Sequence, residues 1–114
     1  MKIIAIEKET PNTDSEAFKP HLKPEAFKVW ELYQAGIIRE AYFRQDRPDA
    51  VLVLECVDAE EAHKLLQSLP LVHEGLTSFE IIPLRPYSGL SRLFEAQQKL
   101  VVTGNSKVRV TLFL

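Results

Sequence analysis

Two stretches of the chain are apolar at consecutive positions, Ile3-Ile4-Ala5-Ile6 and Val51-Leu52-Val53-Leu54. A strand with apolar side chains on both faces must be covered on both, so each segment is predicted to be a central strand of a sheet. The first is read as Lys2–Glu7. The second, Ala50–Val57, follows a strand over Ile37–Arg44 across the polar turn Gln45-Asp46-Arg47-Pro48-Asp49. A fourth strand, Thr77–Leu84, carries Phe79, Ile81, Ile82 and Leu84; Pro83 and Pro86 close it and place it at a sheet edge.

Between these segments the apolar spacing lengthens to three and four residues, as a helix requires. Thr13-Asp14-Ser15-Glu16 has capping-box spacing for a short helical turn that Pro20 interrupts. The main helix is expected to begin at Pro24, with Ala26, Val29, Trp30 and Tyr33 facing inward and Gly36 as a left-handed cap. Asp58-Ala59-Glu60-Glu61 opens a second helix with the stripe Ala62, Leu65, Leu66 and Leu69, and Pro70 stops it.

The order strand, helix, strand, strand, helix, strand is the ferredoxin-like βαββαβ unit, an α+β fold with a four-stranded antiparallel sheet. Crossover handedness sets strands one and three side by side in the centre, and these two are expected to run parallel. Both helices then cover one face, while all four strands present apolar residues on the other. Monomers rarely leave an apolar patch beyond roughly 300–600 Å² in water, so a homodimer with two sheets face to face is expected, a dimeric α+β barrel. That domain is placed at residues 1–94. Residues 95–114 are read as a tail, either disordered or a hairpin of Leu100–Thr103 and Lys107–Leu114 about Gly104-Asn105-Ser106.

Composition bounds the function classes. With 114 residues, 46% of them hydrophobic and 26% charged, the chain suits one globular domain. The single cysteine, Cys56, lies in the apolar strand and reads as a buried, inert thiol. No apolar run is long enough to span a membrane. The N-terminal MKIIAIEKE is a strand and not a signal peptide, so a cytoplasmic location is expected. Residues 1–90 carry ten basic and fifteen acidic side chains, which argues against nucleic acid as a partner; residues 91–114 carry four basic and one acidic.

No Gly-rich phosphate loop, HExxH, paired CxxC or nucleophile elbow is present, and His21, His63 and His73 lack metal-ligand spacing, so neither a metal nor a cofactor is expected. The remaining candidates are polar side chains where the helix face meets the sheet: His21, Lys23 and Glu25 at the start of the main helix, and Arg39, Glu40, Tyr42 and Arg44 on the second strand. Glu55, on one face with Val51 and Val53, is an unexpected acid. If buried it must be paired or have a raised pKa, which would suit a general acid or base. Its plainer reading is an ion pair with Arg39 or Arg44. Lys23 and Glu25 read equally as a solvated helix start, and Trp30 and Tyr33 as core or as ligand stackers.

The runs HLKPEAFKVWELYQAGIIREAYFRQDRPDAVLVLE, LPLV, FEIIPL and PYSGLSRLF, in this order, resemble the muconolactone delta-isomerase family over about residues 1–94. The resemblance implies a dimeric ferredoxin-like α+β barrel. It further implies cofactor-independent movement of a proton within a small unsaturated lactone acid, during the breakdown of aromatic compounds. Lys23 falls where the isomerases have a lysine and Glu25 where they have an acid. On this reading Glu25 is the base, with Lys23, His21 and Tyr42 beside it as anion-holding and hydrogen-bonding groups. Arg44 or Arg39 would grip the substrate carboxylate, and Glu55 and Trp30 would complete the binding site.

Three functions therefore stand open. One is an isomerase-type enzyme acting on a small organic acid. The second is a non-catalytic small-ligand or stress-response barrel. The third is an interaction protein using the basic tail. An enzyme should show a concave, mostly apolar cavity with Glu25 or Glu55 pointing in and a cation opposite, whereas a module could fill that space with Trp30 and Phe27.

Overall fold

Four strands form one antiparallel sheet: β1 (Lys2–Glu9), β2 (Ile38–Phe43), β3 (Ala50–Glu55) and β4 (Thr77–Pro83), in the order β2-β3-β1-β4. The computed structural model describes residues 1–97, 101–103 and 106–108, with side chains through Phe94. The two doubly apolar segments are the central strands, and β4 takes an edge, as the prolines indicated. β1 and β3 are neighbours but antiparallel, with Ile3 opposite Leu54 and Ala5 opposite Leu52. The expectation that they run parallel is corrected by the chain path: the tight turn after β2 reverses β3. The crossover through the first helix instead makes β1 and β2 parallel, with β3 between them.

The helices share one face of this sheet. Helix α1 (Lys19–Gln34) starts earlier than expected and follows directly on a 3-10 turn at Ser15–Phe18. Pro20 does not interrupt it. A first-turn proline loses no bond, because amides there have no intrahelical acceptor, and Pro24 forfeits only the bond to the Pro20 carbonyl. The 3-10 turn is capped by Asp14, whose carboxylate accepts from the Glu16 amide at 3.0 Å; Thr13 instead donates to the Thr10 carbonyl. Gly36 closes α1 with φ of 78°, the left-handed conformation expected of it. Helix α2 (Ala59–Gln67) is capped by Asp58 through the Glu61 amide at 2.8 Å. Pro70 opens a further one-turn helix, α3 (Pro70–His73).

Ile3, Ala5, Leu52, Leu54 and Ile38 from the sheet pack against Leu32, Ala62, Leu66, Leu69 and Val72. Each large side chain here stabilises the fold by roughly 1.5–3 kcal/mol. Cys56 joins them as a buried free thiol. Of the stripe expected to face inward, Val29 does so, joined by the buried Leu32, whereas Ala26 is exposed and Trp30 and Tyr33 turn outward. Those two are half-exposed and stack on each other, with centroids 6.0 Å apart. The alternate residues Ile4, Ile6, Val51 and Val53 lie on the opposite, helix-free face and are only partly buried.

Beyond β4, a helix α4 (Ser91–Gln97) crosses the boundary expected at residue 94. Strands β5 (Val101–Thr103) and β6 (Ser106–Val108) then pair as a separate two-stranded sheet. Thr103 faces Ser106, so Ser106 belongs to the second strand and not to the turn. Residues 104–105 and the expected continuation over 109–114 lie outside the described residues.

Candidate functional site

The helix face of the sheet is filled at one end and hollow at the other. At the hollow end the first half of α1 stands over the ends of β1 and β2 and the starts of β3 and β4. The space between is a cavity of about 650 Å³, within the 300–1,000 Å³ typical of small-molecule sites. Phe18, Leu22, Val29, Ala41 and Leu71 give it an apolar wall, and Phe43 stands at the rim. Its polar groups are Glu7, Glu9, Glu25, Thr13, Ser15, Tyr42 and Thr77.

Glu25 reaches this wall from the second turn of α1. Its Oε1 accepts from the Leu71 amide at 2.9 Å. That amide sits in the first turn of α3, where it has no intrahelical acceptor. Glu25 thus ties α1 to α3 while exposing a carboxyl edge to the cavity. Burial pushes its pKa above the ordinary glutamate value; the Leu71 amide works against this, and the nearby negative charge of Glu7 adds to it.

Glu7 is the functional candidate that sequence reasoning missed. It is only 7% exposed, and its Oε1 accepts from the Ala50 amide at 3.0 Å. The β1–β3 pairing runs only as far as Ile6 opposite Val51, so a side chain completes what the ladder leaves open. Burial raises its pKa first, the Ala50 amide opposes, and Asp49 and Glu9 raise it further. The Thr77 hydroxyl, whose Oγ1 is buried with no hydrogen-bond partner, favours the charged form of Glu7 weakly. The signal for Glu7 lay in strand parity: Ile3, Ala5 and Glu7 share the core face, and β1 continues to Glu9.

The other expected site residues are not gathered here. Tyr42 lines the cavity, but its hydroxyl donates to Glu40 at 2.6 Å, which raises its pKa. Lys23 is exposed and His21 half-buried, and neither lines the cavity. Arg44 makes a two-pronged pair with Asp46 at 2.9 and 2.6 Å. Arg39 turns back to the Gly36 carbonyl at 2.6 Å, beside a β-bulge between Ile38 and Glu40. Glu55 is exposed and pairs with the N-terminal ammonium at 3.5 Å, in place of either arginine. Trp30 is 55% exposed and Phe27 63%, so neither fills the cavity. Among the described residues no lysine, arginine or histidine lines it, and no cluster of three metal-ligating side chains occurs. Among them, too, no helix is long and apolar enough to cross a membrane.

No protein-family model matches the chain, and no curated protein matches it in sequence. Among solved structures it is similar to 5-chloro-2-hydroxyhydroquinone dehydrochlorinase from Burkholderia phenoliruptrix AC1100, in complex with 2,5-dihydroxybenzoquinone. The TM-score is 0.62 at 13% sequence identity, over 78% of this chain and 98% of that one. At that identity the likeness concerns the fold, and it agrees with the ferredoxin-like α+β architecture described above.

Proposed function

We propose that this chain is an isomerase-type enzyme that moves a proton within a small oxygenated molecule held between α1 and the sheet. The supporting observation is the pairing of Glu7 and Glu25 on one largely apolar cavity wall, each with its pKa raised by burial. Two carboxyls on one wall, each anchored by a backbone amide, supply groups able to take up and return a proton at the same site. On this reading ionised Glu25 takes a proton from a carbon made acidic by an adjacent carbonyl. The electron pair of the broken C–H bond moves into conjugation, and the proton returns at the far end of the conjugated system. Nothing is oxidised or reduced, and such a reaction requires no cofactor. The solved relative, a dehydrochlorinase bound to a dihydroxybenzoquinone, lends the same fold to oxygenated ring compounds, in keeping with the muconolactone-isomerase resemblance. The carboxylate-gripping roles given to Lys23, Arg39 and Arg44 draw no support from the cavity wall, because all three lie outside it.

Incubation in D2O with muconolactone and with a panel of unsaturated lactones and hydroxyquinones tests the reading by NMR. Enzyme-dependent deuterium uptake into carbon is expected, reduced about 10²–10⁴-fold in Glu25→Gln. Saturable binding without uptake favours the second reading, a non-catalytic ligand-binding barrel. One observation supports that rival: Glu7 and Glu25 each already serve a backbone amide.

The proposal includes a second copy on the helix-free face, where Ile4, Ile6, Val51, Val53 and Ile82 are incompletely buried. Equilibrium sedimentation should show a dimer at micromolar concentration; a monomer would remove this part.

A further inference from the structure

We infer that the cavity takes hydroxylated, ring-sized molecules that carry no negative charge and rejects carboxylates. The inference rests on the cavity being the ligand site, and it sharpens the substrate class beyond the organic acid that the sequence suggested.

The first observation is the sign of the wall. Glu7, Glu9 and Glu25 all line it, and no described residue there is cationic. A carboxylate ligand would leave bulk water, lose its hydration and face three acids without a counter-charge. Buried ions without partners are among the costliest groups to accommodate, and like charges set together across an interface repel. A hydroxyl group has no such difficulty. It can donate to a carboxylate oxygen, and Glu25 Oε2 makes no hydrogen bond among the described residues.

The second observation is independent of charge. Thr77 is 3% exposed, lines the same cavity, and its Oγ1 is the one buried side-chain polar atom among the described residues without a partner. A buried hydroxyl left unsatisfied is destabilising and stands out in a folded chain. Thr77 Oγ1 has almost no accessible surface, so a ligand reaches it only through a shift of the Thr77 side chain. A hydroxyl both donates and accepts, and that shift would give it a ligand hydroxyl or carbonyl as the partner it lacks. Together with the apolar wall of Phe18, Leu22 and Val29, these groups fit a flat, mostly apolar body bearing hydrogen-bonding oxygens.

Three probes that differ at one substituent test this at pH 7 by ligand-detected NMR titration: 4-hydroxybenzyl alcohol, 4-hydroxybenzoate and 4-hydroxybenzylamine. The alcohol and the amine are each expected to bind at least about tenfold tighter than the benzoate. Thr77→Val, which keeps the shape and β-branching, should weaken the alcohol about two- to tenfold. Its thermal midpoint should stay level or rise, because an orphan hydroxyl has been removed. A benzoate preference overturns the inference, as does an amine that binds as weakly as the benzoate, or the absence of saturable binding for all three. A Thr77→Val chain that binds the alcohol unchanged overturns the assignment of that hydroxyl. Deuterium uptake with a benzoate preference would defeat this inference and leave the proton-transfer reading standing; an alcohol preference without uptake would do the reverse.

Discussion

The two ends of the helix-covered sheet face use the same strands to opposite purposes. At one end Ile3, Leu54 and Ile38 meet Leu66, Leu69 and Leu32, and the space is filled. At the other, the same rows continue into Glu7, Ala41 and Thr77 beneath Leu22 and Glu25, and the space stays open. The difference comes from what the helices bring. The C-terminal half of α1 and all of α2 supply large aliphatic side chains. The N-terminal half of α1 directs a carboxylate inward and leaves Leu22 half in water. Small residues on the strands below, Ala41 and Ala50, then leave a hollow. The filled end holds the fold, and the hollow end is where polar groups have been carried into an apolar setting at a cost in stability.

Breaking the filled end should have the largest effect. Leu66→Ala is expected to lower unfolding stability by about 2–5 kcal/mol in denaturant titration, whereas Leu22→Ala at the cavity should cost less than about 1 kcal/mol. Equal losses at both sites would mean that the two ends are not distinct.

The second effect is one of pH. Glu7 and Glu25 have raised pKa values in the folded chain. In the window upward from the ordinary glutamate value, the folded chain therefore holds protons that the unfolded chain has released. Stability contributed by these groups is full below that window and lost as pH rises through it. The double variant Glu7→Gln/Glu25→Gln keeps acceptors for the Ala50 and Leu71 amides and should flatten this decline. Its stability relative to the parent should climb between acidic and neutral pH. A parallel pair of pH–stability curves would show that neither carboxyl carries the burden assigned to it.

The smallest effect belongs to the exposed flank of α1. Trp30→Ala removes a surface stack with Tyr33 and should cost under about 1 kcal/mol, with probe affinities unchanged. Lys23→Ala should likewise leave them unchanged. A large loss of binding in either variant would move the site from beneath α1 to its outer face.

Strand parity made much of the fold legible. Ile3 to Ile6 and Val51 to Leu54 are apolar on both faces, and they are the central strands. Gly36 and Asp58 end and begin helices where their chemistry requires it. The orientation of β3 against β1 was not legible from the apolar runs, because parity is the same whichever way a strand points. The face of α1 is legible only in part: Val29 packs inward as its spacing predicts. Trp30 and Tyr33 are hydrophobic enough to suggest core, yet the fold buries Leu32 in their place, a rotation that only packing against the sheet decides. At the site, Glu25 is a candidate both from its place at the start of the main helix and by resemblance. Glu7 stands at the predicted end of its strand, where an acid ordinarily meets solvent, yet it lies in line with Ile3 and Ala5 and is the same kind of anomaly as Glu55 beside Val51 and Val53.

Local spacing and composition suffice for the four strands of the main sheet, the existence of two covering helices, the ferredoxin-like order and the acidic balance of the body. Folding in three dimensions is what brings Glu7, Glu25 and Thr77 to one cavity and leaves Lys23, Arg39, Arg44 and Glu55 outside it. Those placements depend on contacts between residues far apart in the chain, such as Glu25 with the Leu71 amide and Glu7 with the Ala50 amide. No pattern along the chain encodes which distant amide a carboxylate will find unsatisfied.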